Sequence, residues 1–227
     1  MENDKPVIAV LGGTGKEGPG LALRWAWAGY LVLIGSRQAE KAQATAAELN
    51  SQLAALGEDG GQKLRPVQGL DNLTAARQAD ICVLTVVQSA HQEALLSVRE
   101  ALAGKILVDA TARVDYRDPR PPEAPSAARQ AQDLLGDQVR VVAAFQNVPA
   151  HVLKKNLDQP IPTDVLVCAD DPQAAQEVIR LAEAGGMQAY YAGGLDNALV
   201  VEGLTALLIS MNKHYGIKTA SIGITGI

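Results

Sequence analysis

Apolar positions along the first two thirds of the chain alternate between short unbroken runs and longer stretches with helical periodicity. Residues 7–11 and 30–35 are runs of strand length. Each precedes an alanine- and leucine-rich segment, residues 18–28 and 39–56, whose pattern predicts a helix. A polar, glycine-rich turn at 57–61 leads to a short strand over 64–69 and a helix over 72–78. Residues 81–87 form a largely apolar run, the pattern of a central strand buried on both faces. A helix over 92–102 and a strand over 105–109 follow. Such alternation predicts parallel strands joined by helical crossovers.

Residues 115–125 are rich in Pro, Arg and Asp and predict an exposed loop, long enough for a lid or a dimer-contact arm. Beyond it the pattern gives a helix over 126–135, a strand over 139–144 and a turn at 145–150. A strand over 165–168, a helix over 172–184 and a strand over 187–191 come next. A helix from 197 to about 211 is apolar on nearly every face, which places it beneath a sheet or against a second subunit. No internal repeat is present. The expected architecture is α/β, a doubly wound, mostly parallel sheet of Rossmann type over residues 1–149, with a small C-terminal α/β extension over 150–227.

The first predicted strand ends in G-x-G-x-x-G, formed by Gly13, Gly15 and Gly18. Gly13 is expected to permit the tight turn, Gly15 to let the backbone approach a pyrophosphate, and Gly18 to let helix and strand pack closely. Glycine-rich turns are common, so the motif gains its meaning from the strand before it and the helix after it. A dianion would sit on the free N–H groups that open that helix.

The end of the second strand bears on which nucleotide is bound. An NAD site places an acid there, to accept from the ribose 2′-hydroxyl. This chain instead has Ser36, Arg37 and, one helical turn on, Lys41. A hydroxyl, a planar guanidinium and an ammonium suit a 2′-phosphate. The blander reading makes Ser36 a helix cap and the two cations solvated, and one helix start can serve both purposes.

Composition narrows the partners. A formal net charge of −5 argues against nucleic acid or an anionic membrane surface as the main partner. The two cysteines, Cys82 and Cys168, lie in apolar strand-like runs and read as buried free thiols rather than a disulfide. Residues 1–6 lack the layout of a signal peptide and no apolar run reaches membrane-spanning length, so the expected compartment is the cytoplasm.

Nucleotide-dependent hydride transfer to small molecules usually needs a proton donor or base near the reacting carbon. No Tyr-x-x-x-Lys pair stands at helical spacing, and no cluster has metal-ligand spacing. His91, His151 and His214 have no carboxylate partner close in sequence and read as helix-start or surface residues. A redox partner that accepts hydride onto a conjugated ring removes this need, because transfer then requires ring stacking with the reacting atoms about 3–3.5 Å apart. Val86, Val87, Phe145, Val148 and the C-terminal helix are suited to an apolar, water-excluding slot. A flavin, quinone or ferric-chelate acceptor, or a non-catalytic NADP-sensing module, remains open on these residues alone. Glu202, inside an otherwise apolar helix, is expected to pair with an arginine or to cap a backbone group.

Across nearly its whole length the chain resembles the F420-dependent NADP oxidoreductases. The resemblance is carried by residues 11–15 with Gly18, by 20–24, by Gly35, Ser36 and Arg37 with Lys41 and Ala42, and by 83–86. Residues 148–150, 167–171, 201–205 and 222–226 carry the rest. It implies a homodimer that moves hydride reversibly between the nicotinamide C4 of NADP(H) and the deazaflavin C5 of coenzyme F420. Thr14, Ser36, Arg37 and Lys41 match the family's NADP positions, and Gln146, Asn147, Val148 and Pro149 match the stretch lining its deazaflavin pocket. The expected coenzyme contacts are therefore Gly13, Thr14, Gly15, Lys16, Glu17, Ser36, Arg37 and Lys41, then Thr85, Val86 and Val87, and then residues 146–149. Lys154 and Lys155 are available for the anionic tail of F420.

Overall fold

Backbone and side chains are described for residues 5–56 and 64–227 in a computed structural model; the turn expected at 57–61 lies outside the described residues. In chain order the elements are β1 (Ile8–Leu11), α1 (Gly18–Trp27), β2 (Val32–Ser36), α2 (Ala39–Leu56), β3 (Gln68–Asp71), α3 (Asn72–Gln78), β4 (Ile81–Leu84) and α4 (His91–Val98). They continue with β5 (Ile106–Asp109), α5 (Ala127–Leu135), β6 (Arg140–Ala143), β7 (Asp164–Ala169), α6 (Pro172–Ala184), β8 (Gln188–Tyr191) and α7 (Ala198–Tyr215). The strands join one sheet in the order β3-β2-β1-β4-β5-β6-β7-β8. From β3 to β6 every pairing is parallel, so β1 and β4 flank the point where the winding reverses. In sheets of this kind ligands bind outside the carboxyl ends of the strands at that point.

Strands β1, β2, β4 and β5 are buried at every position, as runs without polar alternation require. One face of the sheet packs under α1, α2 and α6, with Trp25 as its largest fully buried side chain. The Trp25 indole N–H donates to Leu181 O at 2.9 Å, which satisfies its only polar atom. The opposite face packs under α3, α4, α5 and the first turns of α7. Helices α2, α3 and α6 occupy the spans that their patterns predict. Asp71 and Asp171 cap α3 and α6, accepting from Thr74 N and from Gln173 N.

The structure refines or corrects six expectations. β7 runs antiparallel to β6, pairing Val142 with Ala169 and Ala143 with Cys168, although β7 and β8 are again parallel. An apolar run specifies burial but not direction. β4 stops at Leu84 and the next three residues leave the sheet; β3 runs later than predicted, to Asp71, in register with Ser36. The predicted 92–102 helix is α4 closed by a 3₁₀ turn over Arg99–Leu102. Phe145 is fully buried against Trp25, ring centroids 5.8 Å apart, and so belongs to the core rather than to a slot. Finally, α7 reaches Tyr215 and is not buried all round: Val200, Leu207 and Met211 are 66%, 55% and 40% exposed, on one stripe of the helix.

The segment beyond residue 149 is tied to α1 by Arg24, which is 3% exposed. Its guanidinium donates to the carbonyls of Leu153, Lys155, Asn156, Gln159 and Gly185. No helix among the described residues is long and apolar enough to cross a membrane.

Candidate nucleotide cleft and ring site

The glycine loop joins β1 to α1 at the winding reversal. Positive φ falls on Gly12 (+66°), and the Val86 side chain fills the place where a Cβ at Gly12 would lie. Gly12 N donates to the Asn72 side chain and Gly13 N to Gly35 O, which anchors the loop to β2 and α3. A Cβ on Gly13 would stand 2.6 Å from Val10 O, and one on Gly18 would stand 2.7 Å from Gly13 Cα and 2.8 Å from the Thr85 hydroxyl. Gly18 thus has the packing role expected of it. A Cβ on Gly15 would meet nothing closer than 3.8 Å, so the backbone there faces open space at the head of α1. That opening fits a pyrophosphate held by helix N–H groups.

From this loop a cleft of about 360 Å³ runs over the carboxyl ends of β1, β2 and β4. Thr14, Gly15, Ser36, Arg37, Lys41, Thr85, Val86 and Val87 all line it, so eight of the expected coenzyme contacts come together. The Ser36 hydroxyl accepts from Gln38 N at 3.2 Å, so it shapes the start of α2 while facing the cleft. Arg37 and Lys41 are exposed and make no ion pair among the described residues. The nearest acid on the neighbouring strand, Asp71, is committed to its helix cap, and the hydrogen bonds from Thr74 hold its carboxyl below the usual range. Lys16 is exposed and off this cleft, Glu17 is off it too, and residues 146–149 do not line it. Asn72, Gln38 and Glu93 line it without having been expected. Asn72 had a signal in the sequence: a short polar side chain immediately beyond a strand's carboxyl end.

A dinucleotide crossing the reversal has its second half over β4, β5 and β6. There the His91 Nε2 lies 2.6 Å from Asp109 Oδ2, with both side chains buried. His91 does begin a helix, but the carboxylate that orients it comes from 18 residues further on. Burial pulls the His91 pKa down, and the hydrogen bond and charge of Asp109 outweigh this, leaving it raised. The other Asp109 oxygen accepts from Thr111 N at 2.9 Å, and the Asp109 carbonyl accepts from the Gln146 side-chain amide at 2.9 Å. The Gln146 turn is held from behind by Phe145, whose φ of +75° is costly for a bulky residue, and from α7 by the Thr205 hydroxyl, which donates to Gln146 O. Asn147 donates to Asp164 O.

Five buried side-chain oxygens have no hydrogen-bond partner among the described residues: Glu17 Oε1, Thr111 Oγ1, Gln146 Oε1, Asn147 Oδ1 and Thr163 Oγ1. All five sit at the same edge, at the head of α1, after β5, after β6 and at the start of the antiparallel β7. Each such group costs about 1–3 kcal/mol when left unsatisfied. A row of them marks a place built to receive N–H donors. Glu17 is the most perturbed: burial alone pushes its carboxyl up to about 8. The Tyr116 hydroxyl, on the segment after β5, is raised by partial desolvation and further by the charge of Glu17, although the residue is 71% exposed.

The Glu202 carboxylate accepts from Arg113 Nε at 3.0 Å and from Ala127 N at the start of α5, so it both pairs with an arginine and caps a helix. Burial still leaves its pKa raised. Lys154 pairs with Glu48 at 3.3 Å. His151 and His214 lie on the exposed surface.

A winding reversal, a glycine loop open at Gly15 and cations without an ion pair at the tip of β2 are the features of a dinucleotide-binding α/β protein. Residues 7–113 match the family model described as NADP oxidoreductase, coenzyme F420-dependent. The F420-dependent NADP reductase of Methanothermobacter thermautotrophicus is 40% identical over 230 residues, covering 97% of this chain and 95% of the relative. That of Methanothermobacter marburgensis is 41% identical over 231 residues, covering 97% and 98%. A solved structure of a candidate F420-dependent NADP-reductase from Arthrobacter sp. FB24 superposes with a TM-score of 0.79 at 25% identity, covering 98% of this chain and all of that one. The chain belongs to the F420-dependent NADP reductase family.

Proposed function

We propose that this protein transfers hydride reversibly between NADP(H) and coenzyme F420. The reading is carried by the cation and hydroxyl cluster at the tip of β2, which sits beside the opening at Gly15 and whose two cations make no ion pair among the described residues. Gly13, Thr14 and Gly15 cradle the pyrophosphate, with Lys16 as an exposed cation at its outer side. Ser36, Arg37 and Lys41 hold the 2′-phosphate, while Thr85, Val86 and Val87 form the apolar lip. The deazaflavin, when bound, supplies a conjugated ring that exchanges hydride at one carbon. The protein's part is to orient two rings and keep water out, with the unsatisfied oxygens of Gln146 and Asn147 fixing the ring edges and Val148, 7% exposed, closing the floor. Residues 1–149 carry the nucleotide, and residues 150–227, with Pro149 at the junction, complete the second ring's site.

The exposed stripe of Val200, Leu207 and Met211 supports a homodimer covered through α7. Buried free thiols at Cys82 and Cys168 suit the reducing cytoplasm. The deciding experiment mixes purified protein with NADPH and F420 and follows the visible deazaflavin absorbance. Loss of that band with formation of NADP⁺ is expected. Tight NADPH binding with no turnover would instead point to a sensing module, and turnover only with flavins or quinones would reassign the acceptor.

A further inference from the structure

Glu17 stands where the nucleotide-binding loop becomes α1, yet its carboxyl is absent from the adenosine cleft. It sits at the head of α1, on the carboxyl edge that also holds the unpartnered oxygens of Thr111 and Gln146, and its charge raises the Tyr116 hydroxyl beyond β5. Its own Oε1 is buried without a partner. The charged groups packed around this edge are already committed: His91 to Asp109, and Arg113 to Glu202. Thr111, Gln146 and Asn147 are uncharged, and Lys16 is exposed. The positive end of α1 favours the carboxylate, but burial outweighs it. Among the described residues Glu17 makes no ion pair, and the adjacent Lys16 is exposed.

We propose that Glu17 tells oxidised from reduced nucleotide. It is held as the neutral acid until the cationic nicotinamide of NADP⁺ arrives, and then it releases its proton to solvent and faces that ring as a carboxylate. The inference rests on the placement of the nicotinamide ring over β4, β5 and β6. NADP⁺ and NADPH differ in net charge only at this ring. A nearby positive charge favours the ionised form of a carboxyl group, and a neutral ring does not. The balance is acid plus NADP⁺ giving carboxylate-bound NADP⁺ plus one proton; no bond to the nucleotide forms or breaks. Burial places the free acid near pH 8, so neutral pH lies inside the window in which this exchange operates.

The test measures dissociation constants for NADP⁺ and NADPH between pH 6.5 and 9 and takes their ratio, which cancels titration of the 2′-phosphate common to both. The preference for NADP⁺ should grow about tenfold per pH unit through part of this range and level off above roughly pH 8. Calorimetry in two buffers of different ionisation enthalpy should detect release of up to about one proton on NADP⁺ binding at pH 7, beyond any that 2′-phospho-ADP-ribose also releases, and no such extra proton on NADPH binding. Glu17→Gln, an isostere of the neutral acid, should flatten the ratio and abolish the extra proton. A flat ratio in the wild type, or a slope that persists in Glu17→Gln, overturns the proposal, and the wild-type proton release decides it even if the variant misfolds. Failure of both nucleotides to bind would overturn the cleft assignment and this proposal with it, whereas equal binding at every pH overturns only the proposal.

Discussion

Arg37→Asp is the substitution that most directly interrogates the adenosine end of the cleft. Arg37 is exposed, lines the cleft and makes no ion pair among the described residues, so replacing it breaks nothing that supports the fold. Stability should stay within about 0.5 kcal/mol of wild type. For NADPH two terms add. Loss of a charge-assisted guanidinium–phosphate contact costs about 1.5–3 kcal/mol. A new carboxylate about 6 Å from a phosphate charge adds roughly 0.7–3 kcal/mol, for an effective dielectric between that of water and about 20. Together they weaken NADPH by roughly two to four orders of magnitude. NADH lacks the phosphate, so its affinity should change less than about fivefold, and the new acid can accept from its ribose hydroxyl. Fluorescence titration of both nucleotides against both proteins reads this directly. Equal losses for NADPH and NADH would refute the phosphate assignment, as would an NADPH loss under about fivefold at low salt.

The remaining predictions concern the groups that frame the site. Gly18→Ala forces a methyl group against the Gly13 backbone, so stability should fall by about 1–3 kcal/mol and NADPH affinity with it, read by urea unfolding and titration. Glu202→Ala leaves the largely buried Arg113 Nε and the first N–H of α5 without a partner, and should cost about 3–5 kcal/mol; adding Arg113→Met should recover much of this, and additive losses would show that the pair matters little. Because the folded-state pKa of His91 is raised, its pairing with Asp109 stabilises fully below the unfolded value near 6.5 and is lost as pH rises through the folded value. The urea midpoint of wild type relative to His91→Gln should therefore decline from pH 6 to 8, and a constant difference would count against the pairing. Leu207→Glu should convert a dimer to a monomer in sedimentation, and an unchanged mass would remove α7 from the interface.

Much of the fold was legible because local chemistry and burial agreed. The bounds of α2, α3 and α6 followed from apolar spacing, and Asp71 and Asp171 prove to cap two of them. The tip of β2 was legible too, since Ser36, Arg37 and Lys41 act through residue type and position alone. Legibility failed where the outcome depended on distant chain. An apolar strand carries no direction, so the antiparallel β7 emerged only from pairing. His91 looked unpartnered because Asp109 reaches it through the sheet, one strand over. Phe145 read as a slot wall on hydrophobicity, but its neighbour Trp25 claims it for the core. Gly12 must lack a side chain because Val86 fills that space, and the two lie 74 positions apart in sequence.

Arg24 has a consequence for how the molecule comes apart. One guanidinium rivets the chain on both sides of residue 149, because its planar fork meets carbonyls from residue 153 to residue 185 while its backbone sits in α1. A lysine has neither the reach nor the number of hydrogens to replace it. The two coenzyme halves are therefore expected to melt as a single cooperative unit. A fragment ending at the junction would strand a buried cation, and cleavage there would silence the nucleotide half as surely as the other.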